Sequence, residues 1–401
     1  MRPLSGRLTF WAIAATIALY LAASAAPTPL YVVYQEEWGF SATTLTLVFA
    51  VYVFGLLASL LLLGALSDHV GRRPMIAVSL ALEAAAMVLF IVAGDVVVLG
   101  AARTVQGVAT GIALSTMGAA LVDLNPPESP KLAGVVSGLA PIGGLAVGAL
   151  GCGALVEYGP APEQLVYAIV LVGLAAAAVL AVRMPETSPR VPGALESLRP
   201  RIAVPERIRA EFLSLVPILI ATWALGGLFL SLGPSVAAQV FEMPNHVIGG
   251  LVVFLLCGTG GLTIYALRDW DFQRALGFAA AFLVAGMAIS LVGLGVEAAL
   301  LTAIGTVIAG VGFGAAGRGT FGTIAAIALP TERGALFAAF YVVSYLAFSL
   351  PALAAGLASQ SAGLRPTAIV YGAAVLVFSL AAIWAQRRLA SRQARIVPVR
   401  L

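Results

Sequence analysis

The sequence predicts an all-α polytopic membrane protein with twelve transmembrane helices in two pseudo-symmetric six-helix halves. Three observations carry that prediction. Of 401 residues, 61% are hydrophobic and only 10% charged, and mean hydropathy is +1.03; a soluble domain so poor in charge would expose an apolar surface and aggregate. Twelve apolar runs are each long enough to cross bilayer hydrocarbon, which takes about 20 residues. Basic residues fall on alternate loops, the asymmetry expected of a spanning chain.

The runs lie at about 8–34, 45–66, 74–94, 96–121, 132–157, 164–183, 213–240, 246–267, 273–294, 298–327, 334–358 and 366–386. Turn chemistry separates them, at Asn125-Pro126-Pro127, Gly159-Pro160, Pro330-Thr331 and Arg365-Pro366. Arg2 and Arg7 precede the first run, and Ala23-Ser24-Ala25 imitates a cleavage site. The apolar pattern continues through Tyr34, too long for a typical signal, so the run reads as a retained helix. With the N-terminus inside, Arg103 and Arg318 sit within helices, Arg365 falls outside, and every other basic residue is cytoplasmic. The outer loops carry Glu36, Glu37, Asp95, Glu163, Glu242 and Glu297.

The chain therefore divides into a six-helix bundle at 1–183, a Pro- and Arg-rich cytoplasmic linker at 184–212, a second bundle at 213–390 and a basic cytoplasmic tail at 391–401. The linker's charge reads as a solvated face, with a short surface helix around 205–211. A net charge of +4 comes from arginines spread through loops rather than gathered on one face, which excludes a nucleic-acid partner. Cys152 and Cys257 fall inside apolar runs, and His69 and His246 are isolated, so no metal site or cofactor is expected. No nucleophile–base pair marks an enzyme.

The halves repeat. Asp68 matches Asp271 at an offset of 203, and the same offset takes Gly107 to Gly310 and Gly111 to Gly314. Both glycine pairs form a Gly-x-x-x-Gly step in the fourth helix of their half, the parallel repeat of some transporters.

Motifs concentrate in helices two to five. Between the second and third runs stands Gly64-x-Leu66-Ser67-Asp68-His69-x-Gly71-Arg72-Arg73. It resembles the loop motif of the major facilitator superfamily, Gly-x-Leu-Ala-Asp-Arg-x-Gly-Arg-Lys, with Ser for Ala and His for Arg. Arg103, Gln106, Gly107 and Gly111 resemble the Arg-x-x-Gln-Gly element of proton-coupled members. Ala140-Pro141-Ile142-Gly143-Gly144 resembles the antiporter motif Gly-Pro-x-x-Gly-Gly, with Ala140 where Gly is usual and the Pro-to-Gly spacing one residue short. The closest pattern is that of the twelve-helix drug and metabolite:proton antiporters.

That resemblance implies a central cavity lined by the first, fourth, seventh and tenth helices, faced by Arg103, Gln106 and Arg318. Polar stripes at helical spacing belong there: Tyr20, Ser24, Thr28, Tyr31 and Gln35 on the first helix, and Ser231, Ser235 and Gln239 on the seventh. Tyr341 and Tyr345 repeat the spacing on the eleventh. Gating falls to Gly64, Asp68, Gly71, Arg72, Arg73, Asp123 and the hinge candidate Pro141. Asp68 is expected to bind the start of the eleventh helix near Gly334, latching the halves, and Arg72 or Arg73 to pair with Asp123. Glu83, Asp123 and Glu36 are the proton-coupling candidates, Glu37 a fourth; Glu83 is the only acid deep in a helix.

The expected function is secondary active transport of a small organic compound across the inner (cytoplasmic) membrane by alternating access, as proton-coupled efflux by a monomer. Two cations without a counter-acid favour an anionic or electron-rich substrate. The alternatives are a symporter or facilitator importing an organic anion and, in another class, a membrane sensor or enzyme.

Overall fold

The computed structural model describes residues 5–329 and 331–396, with the side chains of 390 and 392–396 left aside. Arg2, Pro330 and the end of the 391–401 tail lie outside the described residues.

Among the described residues, twelve helices are long and apolar enough to span a membrane. In the first half, α1 runs over Gly6–Trp38 and is broken at Ala26. It is followed by α2 (Ala42–Leu63), α3 (Arg72–Ile91), α4 (Val96–Asp123), α5 (Leu132–Tyr158) and α6 (Leu165–Arg183). In the second half, α7 (Arg209–Ser231, continued after a break as Gly233–Gln239) precedes α8 (His246–Ala266) and α9 (Phe272–Gly295). The chain ends with α10 (Ala299–Ile327), α11 (Arg333–Ala362) and α12 (Leu364–Ile396).

Helix starts follow capping chemistry. Ser41, Asp95, Asn245 and Asp271 each accept backbone N–H bonds in the following first turn. The offset of 203 holds across the spans: 42 + 203 and 63 + 203 give 245–266 against the observed His246–Ala266. Likewise 96 + 203 and 123 + 203 give 299–326 against Ala299–Ile327. Roles differ within that frame. Asp271 caps α9, whereas Asp68 sits in a separate helical turn, Ser67–Val70.

The 184–212 stretch is not simply a solvated linker. A 3₁₀ turn at Glu206–Ile208 leads into α7 at Arg209, inside the expected linker, because Ile208 and Phe212 are buried in the second-half core. Its beginning is strapped to the first half: Ser188 Oγ and Val191 N both donate to the Asp68 carbonyl, at 2.9 and 3.2 Å. Its end is strapped to the second half, where Ala203 N donates to Ala335 O at 3.4 Å and Arg207 pairs with Glu332 at 2.7 Å.

Close helix crossings need glycine. A Cβ on Gly107 of α4 would lie 2.1 Å from the Tyr52 carbonyl of α2, and one on Gly314 of α10 would lie 2.0 Å from the Gly260 carbonyl of α8. Backbone cannot give way as a side chain can. Gly107→Val is therefore expected to cost about 1–3 kcal/mol through overpacking, read as a lower thermal midpoint in detergent; an unchanged midpoint refutes this packing.

The halves meet through α2 against α11 and α5 against α8. Their side-chain bonds cluster at the ends carrying the acidic loops. Thr43 donates to the Gly356 carbonyl at 3.2 Å, Gln360 bonds Thr43, and Glu157 accepts the His246 N–H at 3.0 Å. At the arginine-rich ends, one direct side-chain pair between the bundles stands among the described residues: the exposed Lys131–Asp269 bridge at 3.3 Å. The acidic face is thus the more firmly closed one.

Candidate functional site

The break in α1 organises the site. Pro27 and Pro29 lack the N–H groups that would bond the carbonyls of Ala23 and Ala25, so the helical ladder fails around Ala26. The Ser24 carbonyl in this break is taken by Arg103 of α4, whose Nη1 donates to it at 3.0 Å. The same Nη1 donates to Gln106 Oε1 at 2.7 Å, and Gln106 Nε2 donates to Glu83 Oε1 of α3 at 3.2 Å. Tyr52 of α2 donates to Ser24 Oγ at 3.0 Å, and Tyr20 to Ser79 Oγ of α3 at 3.1 Å. The Arg103 guanidinium lies 4.6 Å from the Tyr52 ring centre and 5.7 Å from that of Tyr31, within cation–π range of both rings.

Four helices thus share one buried relay, with Glu83 and Gln106 fully enclosed and Arg103 1% exposed. Four of its atoms have no partner: Glu83 Oε2, Arg103 Nε, Tyr31 Oη and Thr28 Oγ1. Burying an ion costs several kcal/mol unless it is paired and hydrogen-bonded. Glu83 and Arg103 communicate through the Gln106 amide rather than by direct contact.

This placement corrects several expectations. Tyr20, Ser24, Thr28, Tyr31, Arg103 and Gln106 do not line an open cavity; they are buried inside the first half, where Tyr20, Ser24, Arg103 and Gln106 bond neighbouring groups while Thr28 Oγ1 and Tyr31 Oη have none. Gln35 is half-buried and Glu36 exposed at the acidic face, away from the relay. Beside them Glu163 is held above the ordinary carboxylate range by burial and by the neighbouring Glu37 carboxylate.

Arg318, half-buried, is engaged by backbone of its own half. It donates to the carbonyls of Leu267 and Arg268 at 3.2 and 2.6 Å, and lies 4.9 Å from the Phe272 ring centre. It therefore satisfies the exposed C-terminal carbonyls of α8, where the helix dipole favours a cation. Ser231 donates to the Gly227 carbonyl at 2.6 Å, and Ser235 is buried beside the α7 break; Gln239 ends that segment, exposed.

In this arrangement, among the described residues, Asp68 makes no side-chain bond to the second half; its ion pair is with Arg72. Arg72 Nη1 lies 2.5 Å from Asp68 and its Nε 3.3 Å from Asp123, so the cluster closes within the first half. Asp68 is drawn to this nearly buried guanidinium rather than to the α11 start near Gly334. Gly64 ends α2 with its N–H donating to the Leu60 carbonyl at 3.1 Å, and Pro141 lies inside an unbroken α5. Gly71, at φ +121°, precedes α3 without a capping side chain. The cap comes from the linker: Glu186 accepts from Arg72 N at 2.8 Å, Arg73 N at 3.2 Å and Ser188 N at 3.0 Å. Burial of Glu186 opposes its charge, but these N–H bonds and Arg190 outweigh it and hold the carboxyl below its usual range. A lowered folded value means stability present at neutral pH and lost as acid protonates the group. Glu186→Ala is expected to cost about 1–2 kcal/mol near pH 7, with the difference shrinking in acid; a midpoint difference flat with pH refutes the cap.

Tyr341 and Tyr345 stand in an aromatic wall at the interface of the halves, whose other members, Trp223, Phe348 and Phe49, sequence spacing missed. Trp223 of α7 lies 4.9 Å from Tyr345 and 6.0 Å from Phe348, and Phe49 of α2 lies 5.1 Å from Phe348. Tyr341 stacks on Tyr345 at 6.1 Å. Phe337, Tyr341, Tyr345 and Phe348 fall on one helical face, a signal the sequence contains. The second half also carries an apolar cavity of about 340 Å³, open to its surface and bordered by Leu255, Met287 and Thr306. The 203 offset relates Tyr52 to Leu255 and Arg103 to Thr306, so the smaller side chains open space where the first half holds its relay.

Two like bundles meeting across α2–α11 and α5–α8 have the architecture of a membrane transporter. The family model described as Major Facilitator Superfamily matches residues 12–350, and the chain belongs to that family. The fold is similar to the crystal structure of the human organic anion transporter MFSD10 (TETRAN), with a TM-score of 0.70 and 19% identity over 94% of this chain and 100% of that one. At that identity the likeness is one of fold. No curated protein matches the sequence.

Proposed function

We propose that this chain exports a small organic compound across the inner membrane by alternating access, driven by protons. The supporting observation is the Glu83–Gln106–Arg103–Ser24 relay, which connects an enclosed carboxyl to the broken first helix. A protonation change at Glu83 alters what Gln106 must satisfy, and through Arg103 the carbonyl exposed by the α1 break. The relay reaches the interface of the halves through α2, where Tyr52 bonds Ser24 and Phe49 meets Phe348. Substrate is held by the aromatic wall, with Trp223, Tyr341, Tyr345 and Phe348 offering ring surface to an aromatic compound. Both termini and the arginine-rich loops face the cytoplasm, so the firmly closed acidic face is external and the halves stand in an inward-facing arrangement. The Asp68–Arg72–Asp123 cluster then governs the cytoplasmic side from within the first half, through the linker bound to it.

The test is flux in proteoliposomes under an imposed pH gradient. Glu83→Gln is expected to lose pH-driven accumulation by at least tenfold while keeping exchange down a substrate gradient. Equal acceleration of the variant and the parent by the pH gradient sinks the assignment of Glu83.

The second reading is import of an organic anion by symport or facilitation. MFSD10 is described as an organic anion transporter, which favours it, but both intrahelical arginines are already engaged by this chain's own groups. Reversing the pH gradient separates the readings: export needs protons moving inward against substrate.

A further inference from the structure

A second site lies on the outside of the first half, where α3 and α6 pack on each other at its periphery. Between them runs a groove of about 580 Å³. Its walls owe their depth to small side chains: Ala77, Ala81 and Ala84 on α3, and Ala175, Ala178 and Ala181 on α6. Its mouth, at the arginine-rich face, is formed by Arg73 and Arg190.

Its dimensions match one leaflet. From Arg73 to Ala84 the groove follows α3 for about 16 Å at 1.5 Å per residue. Half of a bilayer core of roughly 30 Å is about 15 Å. A chain lying in the groove would reach from the headgroup level to the midplane.

The charge at the mouth matches a single anion. Arg73 uses Nη2 on the Val182 carbonyl at 2.5 Å, and Arg190 uses Nη2 on Glu186 at 3.3 Å. The Glu186 carboxylate is shared with the backbone N–H groups of Arg72, Arg73 and Ser188. At the mouth two guanidiniums face one carboxylate, with the Asp68–Arg72–Asp123 cluster behind it, and each guanidinium keeps further donors. Arg190 adopts a left-handed backbone (φ +50°), with Nε close to Gly71 at the start of α3. We propose that this groove binds one anionic phospholipid of the arginine-rich leaflet, with an acyl chain along the alanines and the phosphate diester between Arg73 and Arg190. Arginine recognises phosphate through paired N–H donors, and basic pockets between membrane helices suit such headgroups.

The experiment is native mass spectrometry of the purified, delipidated full chain titrated with phosphatidylglycerol and with phosphatidylcholine of the same acyl chains. Phosphatidylglycerol is expected to bind at least tenfold tighter. The double variant Arg73→Ala/Arg190→Ala should bring it down to the phosphatidylcholine level, about fivefold per guanidinium, and Arg73→Lys/Arg190→Lys should restore only the part of the preference owed to charge. Ala81→Phe, which fills the groove and leaves the arginines intact, should weaken both lipids. Arg268→Ala/Arg274→Ala, basic residues of the second half, should leave the preference unchanged. Glycerol 3-phosphate should not compete. Equal binding of the two lipids by the parent chain overturns the proposal, as does a preference that survives the alanine pair or is lost equally in Arg268→Ala/Arg274→Ala. Competition by glycerol 3-phosphate would identify a soluble-anion site and overturn the lipid assignment.

Discussion

Arg103→Ala is expected to lower transport at least a hundredfold in reconstituted vesicles. The side chain alone connects α1, Gln106 and, through it, Glu83. Removing one member of a buried charged network leaves the others unpaired and costs about 3–5 kcal/mol. In this case the Ser24 carbonyl and Gln106 Oε1 both lose their donor, and Tyr31 and Tyr52 lose the cation beside their rings. The variant should therefore also melt earlier, and flux must be normalised to folded protein. Arg103→Lys separates charge from geometry: a lysine restores the cation but not a planar group able to serve two oxygens and two rings at once. It should recover stability more fully than transport. Undiminished flux in folded Arg103→Ala would remove the relay from the mechanism.

The second large effect concerns the seal on the acidic face. Thr43 of α2 and Gln360 of α11 are in contact across the halves. A Thr43→Cys/Gln360→Cys pair should form a disulfide on mild oxidation, and transport should then fall more than tenfold and return with reductant. The native Cys152 and Cys257 are buried and unpaired, so they should not compete for oxidant. A transporter that rocks one bundle against the other must part these helices during each cycle. Full cross-linking with unchanged flux would show that this contact stays closed throughout the cycle and would refute the rocking scheme drawn from it.

The two experiments probe different parts of the inference. Arg103 belongs to a network whose members were individually legible as polar residues at helical spacing. Its position was not, because spacing reports which residues share a face and not which neighbour that face meets. Tyr20, Ser24, Thr28 and Tyr31 form a stripe in either case; only packing turns it toward α2, α3 and α4. Arg318 shows the same limit. A cation in an apolar run asks for a partner, and the partner here is a set of α8 carbonyls brought close by the turn into α9. Asp68 had two acceptable partners in principle, a helix N-terminus across the interface and an arginine four residues along its own chain. The nearer one is taken.

The linker teaches a related lesson. Pro, Arg and Ser make 184–212 read as an exposed connection, yet Glu186 caps α3 and the Asp68 carbonyl accepts from Ser188 and Val191. Such bonds join residues more than a hundred positions apart, and no local pattern announces them.

What the sequence determined by itself was the membrane class, the helix count and the repeat. Each rests on a property summed over many residues: hydrocarbon admits only backbone that satisfies its own hydrogen bonds, so long apolar runs have one outcome. The family signature was legible for the same reason, as a polar knot that could not lie between the runs except at a membrane face. The tertiary structure alone decided the destinations of single polar groups, including the closure of Asp68 on Arg72, the capture of the Ser24 carbonyl by Arg103 and the alanine-lined groove beneath Arg73 and Arg190. Those depend on distances of a few ångströms between helices far apart in the chain, where a buried ion or amide takes whichever partner packing brings within reach.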